Sequence, residues 1–135
     1  MANKKTNFDK VNVTDDMALL YMTPSEVNAK DIAVLLQASA GIKAELWEEM
    51  NVLELELSTR NSVDFEPLDI HFSSPTDAAF IKNRNIHTIF AITLSEADFT
   101  LAKPYLEQIV ERFFGFICAD TEDFNPVYFG SNEKN

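Results

Sequence analysis

The stretch that decides the architecture is Ile86-His87-Thr88-Ile89-Phe90-Ala91-Ile92-Thr93-Leu94. It is nearly continuous in apolar and β-branched residues, so neither face of an extended chain would be clearly polar, the pattern of a central strand covered on both sides. The segment is expected to form the spine of a sheet. Just before it, Ser74-Pro75-Thr76-Asp77 has the form of a capping box and opens a short helix through Ala78, Ala79, Phe80 and Ile81, closed by Asn83 to Asn85. Just after it, Ser95 and Asp98 offer caps, Pro104 falls within or at the start of the next helix, and Leu106, Ile109, Val110, Phe113 and Phe114 recur at i, i+3, i+4, i+7 and i+8. Gly115 ends that helix, Phe116 to Ala119 reads as a strand, and Val127 to Phe129 offers one more after Asn125-Pro126.

Further upstream, Met17 to Met22 is β-compatible and stops at Thr23-Pro24. Two helix entries follow, Thr23-Pro24-Ser25-Glu26 with Pro at N1, and Asn28 with Asp31 three residues on. The helix body is set by Ile32, Leu35, Leu36 and Ala40 on one face, with Gly41 after its last turn. From Ile42 the period changes to two. Ala44 and Leu46, then Leu53, Leu55 and Leu57 against Glu54, Glu56 and Ser58, indicate two strands joined at Glu49-Met50-Asn51, although Ala44 to Met50 also suits a helix. After a polar loop at Thr59 to Asp64, Leu68, Ile70 and Phe72 alternate with Asp69 and His71, which predicts another strand, placed at an edge or begun at Pro67. The expected order is β-α-β-β-β-α-β-α-β. Short connections between successive strands favour antiparallel pairing, so the fold class is α+β: a single domain over residues 15–130, with a mainly antiparallel sheet of about five to six strands and three helices. Residues 1–14 are expected to form a polar arm and 131–135 a polar tail.

The 135 residues are 46% hydrophobic and include eleven Phe, enough to close one core and to exclude disorder as the overall state. Lys plus Arg total 11 against 22 Asp plus Glu, a formal net charge of -11. Nucleic acid is a poor partner for such a chain, because phosphate binding draws on clustered cations, and an acidic membrane surface is disfavoured likewise. Cys118 is the single cysteine, which together with the lack of an apolar run behind Lys4-Lys5 leads to a cytoplasmic expectation with neither signal peptide nor span.

No motif for catalysis stands out. Cys118 lies among Phe116, Ile117 and Ala119 with no basic neighbour to activate it, and reads as a core residue. His71 and His87 read as surface or cross-strand residues, and two imidazoles with one thiol do not complete a common zinc site. Asp120-Thr121-Glu122-Asp123 sets three carboxylates in one loop, so Asp120, Glu122 and Asp123 are weak candidates for a hard cation, although the spacing lacks the alternation and Gly of a calcium loop. Only three glycines are present, and no phosphate-cradling loop, nucleophile elbow or His-Glu-x-x-His helix is found. Neither catalytic residues nor a cofactor are therefore assigned.

The charge is concentrated. Residues 31–70 carry nine acids against Lys43 and Arg60. Glu45, Glu48, Glu49, Glu54 and Glu56 are followed by Asp64, Glu66 and Asp69, and on a strand Glu54 and Glu56 would point the same way about 6.8 Å apart. A solvated face is the plain reading of such a run. The functional reading is a negative surface that holds a basic protein, with Trp47 among the acids as its anchor. The leading expectation is a non-enzymatic module that neutralises or masks a basic partner, in the manner of an immunity protein or inhibitor.

Size, acidity and the α-β-β-β-α order over about residues 28 to 114 are similar to the small acidic type III secretion chaperones. The chain departs from them by its extra first strand and by a single strand between the last two helices. The resemblance implies a dimer that captures an extended segment. Two other classes are an enzyme using Asp120, Glu122, Asp123 or His71 in a cleft, and a homodimer formed through an apolar sheet edge.

Overall fold

A computed structural model describes residues 15–132; the polar arm at 1–14 and the end of the tail at 133–135 lie outside the described residues. The strands are β1 (Asp16–Thr23), β2 (Lys43–Trp47), β3 (Val52–Glu56), β4 (Ser62–Leu68), β5 (Thr88–Ser95), β6 (Phe116–Ala119) and β7 (Val127–Gly130), and the helices are α1 (Ala29–Ala40), α2 (Pro75–Asn83) and α3 (Phe99–Phe113). They build one α+β domain around a seven-stranded sheet ordered β2-β3-β4-β5-β1-β6-β7, antiparallel at every pairing. The spine expected at 86–94 is there. β5 is the middle strand, with Ile92 buried against α1 and α3 on one side and Ile89 buried on the side of α2 on the other.

Two cores follow from this layering. On the helix face, Ile32 and Leu36 of α1 and Leu106 and Ile109 of α3 cover Leu19, Tyr21, Leu53, Leu55, Phe65, Phe90 and Ile117. On the far face, Ile81 of α2 packs with Leu20, Met22, Ile89, Phe116, Cys118 and Phe124, but this roof stops short of β2 and β3.

Several local expectations are corrected. The strand count is seven, because Val127–Gly130 does pair with β6. α1 enters at Asn28, whose side chain accepts from the Asp31 backbone N–H while Asp31 caps in return, and Thr23-Pro24 instead ends β1. Ala44 to Met50 is not helical: β2 is followed by a 3₁₀ turn at Glu48–Met50, and Asn51 takes a left-handed conformation (φ 57°) to start β3. β4 lies at 62–68 rather than 68–72. Val63 and Phe65 show the same period-two pattern as Leu68, Ile70 and Phe72, and the earlier register prevails because it buries both side chains between β3 and β5, whereas Ile70 and Phe72 leave the sheet to pack beside α2. β4 is internal, and Pro67 sits near its end, beyond the last β3 pair, Leu53 with Phe65, where its missing N–H leaves no neighbour on that side unserved.

α3 is preceded by a 3₁₀ turn, and neither Ser95 nor Asp98 caps it by a side chain. Pro104 falls inside the helix, one of the two placements its position in the sequence allowed. Phe114, expected on the buried stripe, is 66% exposed, because the helix stops at Phe113 and Phe114 turns to φ 69°. The turn brings Gly115 against β1 so closely that a Cβ there would lie 2.1 Å from the Met22 carbonyl oxygen. The end of β1 and the turn after it close the helix end in return: Thr23 Oγ1 and Ser25 Oγ donate to the Phe113 carbonyl at 2.9 and 2.7 Å, and Tyr21 Oη donates to Phe114 O at 2.6 Å.

Candidate functional site

The alternation that buries Leu53, Leu55, Val63 and Phe65 sends the residues between them to the far face, where no helix covers β2, β3 and β4. In register, Glu45 of β2 stands opposite Glu54 of β3, and Glu54 stands opposite Asp64 of β4. Three carboxylates therefore run directly across three adjacent strands. Next to this row Lys43 faces Glu56 and Glu56 faces Ser62, while on the other side Glu66 faces Ala91 and Trp47 faces Val52. Lys43 is the one cation in these strands, and it stands outside the central row.

Like charges directly opposite on a sheet repel, each such pair costing about 0.2–1 kcal/mol. The effect appears in Glu54, whose carboxyl pKa is raised above its ordinary value, first by its partial withdrawal from water and then by the negative charges of Asp64 and Glu45. The sheet carries these contacts because β3 and β4 are fixed from the helix face, where Leu53, Leu55, Val63 and Phe65 are essentially fully buried.

No protein-family model, no curated protein and no solved structure matches this chain.

Of the partner-binding residues expected from sequence, Glu45, Glu54, Glu56 and Trp47 share the bare face, Trp47 being 38% exposed at its end. Glu48 does not join them: it lies in the 3₁₀ turn, 3.6 Å from Lys30 Nζ of α1. Glu49 is exposed in the same turn. Asp69 lies apart, its Oδ1 2.8 Å from His71 Nδ1 and accepting the His71 N–H at 2.9 Å; the backbone bond is the main reason its carboxyl lies below its ordinary pKa. His87 Nδ1 lies 2.9 Å from the Pro24 carbonyl, and both imidazoles are exposed.

The loop at Asp120–Asp123 is exposed and organised by its own turn. Thr121 Oγ1 donates to Asp123 Oδ1 at 3.1 Å and the Asn125 N–H reaches it at 3.2 Å, and the Thr121 contact leads in lowering the Asp123 pKa. Among the described residues no three Asp, Glu, His or Cys side chains, those of Asp120, Glu122 and Asp123 included, come together in a group that could hold a metal ion. Cys118 is fully buried on β6, and burial, followed by the charge of Asp120, pushes its thiol up to about 12. Among the described residues no helix is long and apolar enough to cross a membrane.

Sequence reading missed the second half of the charged surface. Asp64 and Glu66 stand in the sequence only as part of an acidic run, and Asp16, Thr93 and Ser95, which complete the face beyond β4, carry no local signal that places them on it. The alternation Ser62-Val63-Asp64-Phe65-Glu66 was the available clue. Thr93 and Asp16 were beyond local reading, because their placement depends on β5 pairing with both β4 and β1.

Proposed function

We propose that this chain is a non-enzymatic binding module that holds a basic protein on the bare, acidic face of β2, β3 and β4, masking or neutralising it in the manner of an inhibitor or immunity protein. The observation that carries the reading is the row Glu45–Glu54–Asp64, three carboxylates in direct cross-strand register with no cation opposite them. Such a row works against the stability of the free protein. Cationic side chains laid across it turn each repulsion into an attraction, and a net charge of -11 steers them there from a distance. Trp47, two residues beyond Glu45 on β2 and on the same face, supplies an aromatic anchor beside the charges.

The test is capture from source-cell lysate by wild type and by the Glu54→Lys/Glu56→Lys double variant, at low and high salt. Wild type is expected to retain a stoichiometric protein of basic composition, to release it at high salt, and to associate with it at a rate that falls steeply with ionic strength; the double variant is expected to retain none. Equal retention by both proteins removes the acidic row from the mechanism.

A further inference from the structure

The sheet has two edges, and they are guarded differently. β7 is four residues long and its register with β6 shifts at Ile117–Cys118. Short, bulged edges of that kind resist pairing with a further strand. β2 pairs with β3 over all five residues without a break and contains no proline, and among the described residues no backbone hydrogen bond is made to its outer side. Beside it lies an open groove of about 560 Å³, bounded by Gln37, Gly41, Lys43, Ala44 and Glu45. The only guard on this edge is the charge of Lys43 and Glu45.

Those two charges are self-complementary. When β2 meets β2 of a second copy antiparallel about a two-fold axis, the register is set by which residue faces its own counterpart. Centring on Lys43 or on Glu45 opposes like charges, and centring on Leu46 carries Lys43 past the end of the other strand. A slip of one residue opposes far-face to helix-face side chains. Centring on Ala44 sets Lys43 opposite Glu45 of the second copy, Glu45 opposite its Lys43, and Leu46 opposite its Ile42. The charged pairs then lie on the bare face, while Ala44 and Leu46, half-buried against the core, gain apolar neighbours on the helix face.

The same centring answers the acidic row. Glu45 is its outermost member, with Glu54 on its inner side, and Lys43 is in no ion pair among the described residues. Lys43 of the second copy would stand on the open side of Glu45, and by symmetry this happens twice. We propose that the outer edge of β2 pairs with a second copy of this chain, antiparallel and with Ala44 opposite Ala44, so that two seven-stranded sheets run on as one. The inference is independent of the function proposed above. It leaves both bare faces uncovered on the same side of the joined sheet.

The test is sedimentation equilibrium of the whole chain, from micromolar to millimolar, in about 0.15 M salt, where the like net charges of two copies are screened beyond about 8 Å. Wild type, Lys43→Glu, Glu45→Lys and an equimolar mixture of these two variants are compared. Wild type is expected to dimerise. Each variant alone opposes like charges at both pairs and is expected to dimerise at least about tenfold more weakly, whereas the mixture sets opposite charges at both pairs and is expected to recover near wild-type affinity. As a second readout, Ala44→Cys is expected to cross-link to its own counterpart on mild oxidation, and Leu46→Cys, roughly 14 Å from its counterpart along the paired strands, is not. A monomeric wild type, a dimer indifferent to both charge changes, a mixture no tighter than its components, or failure of Ala44→Cys to cross-link overturns the pairing. No basic protein is present in these measurements, so each of these outcomes leaves the acidic-face reading standing.

Discussion

Over β5, β1 and β6 the far face of the sheet is apolar and roofed by α2, whereas over β2, β3 and β4 the same face is charged and bare. The strands are continuous in one sheet and obey the same alternation, so the difference lies in the residues that alternation exposes. Leu20, Met22, Phe116 and Cys118 point down from one half; Glu45, Glu54, Glu56 and Asp64 point down from the other. The roofed half adds stability through burial. The bare half subtracts from it through opposed carboxylates, and a structure retains such a conflict most readily where a partner resolves it.

The contrast is broken most severely on the roofed side. Phe116 is 2% exposed and meets Phe80 of α2 edge-on with ring centroids 6.1 Å apart, and Phe116→Ala is expected to cost about 3–5 kcal/mol in urea unfolding. A cost under about 1 kcal/mol would mean that α2 is not a structural roof. On the bare side the sign reverses. Glu54→Gln removes the middle charge of the row and is expected to stabilise the free protein by about 0.2–1 kcal/mol. The pH dependence sharpens this. Because the Glu54 pKa is raised in the folded chain, the folded state holds more protons than the unfolded one between the ordinary value of 4.5 and the raised one. Its contribution is therefore present below that window and is lost as pH rises through it. Unfolding of wild type and Glu54→Gln across pH 4 to 7 should show that fall in wild type and a flatter profile in the variant. Parallel profiles would show that Asp64 and Glu45 do not act on Glu54. The smallest effect is that of salt: moving from low to high ionic strength should stabilise wild type by a few tenths of a kcal/mol more than Glu54→Gln, since exposed like charges are readily screened. Equal gains would mean that the row is already neutralised by its surroundings.

Much of the fold was legible because local patterns agreed with it. The apolar run at 86–94 marked the middle strand, Ser74 with Asp77 marked the entry of α2, Asn28 with Asp31 was one of two entries offered for α1, and Leu53-Glu54-Leu55-Glu56 marked a half-buried strand together with the direction of its acids. Where two local patterns were equally good, sequence reading chose the wrong one. Val63 and Phe65 competed with Leu68, Ile70 and Phe72 for the same strand, and long-range register against Ile92 and Ile89 settled it. Phe114 continued the helical stripe, but the close approach of Gly115 to β1, ninety residues earlier in the chain, stopped the helix one residue before it. Only part of the candidate site could be read, for the same reason. Glu45, Glu54 and Glu56 lie in one hairpin, whereas Asp16, Thr93 and Ser95 reach the same face through pairings between distant strands.

By itself the sequence determined an acidic α+β chain with a buried middle strand, a well-marked entry to α2 and a row of glutamates on one strand face, because periodicity, capping and charge act within a few residues. Only the tertiary structure decided that β1 inserts between β5 and β6, that α2 roofs one half of the far face and leaves the other bare, and that Asp64 completes the row. Those outcomes depend on which distant apolar faces bury each other best, and that competition is settled by the whole core.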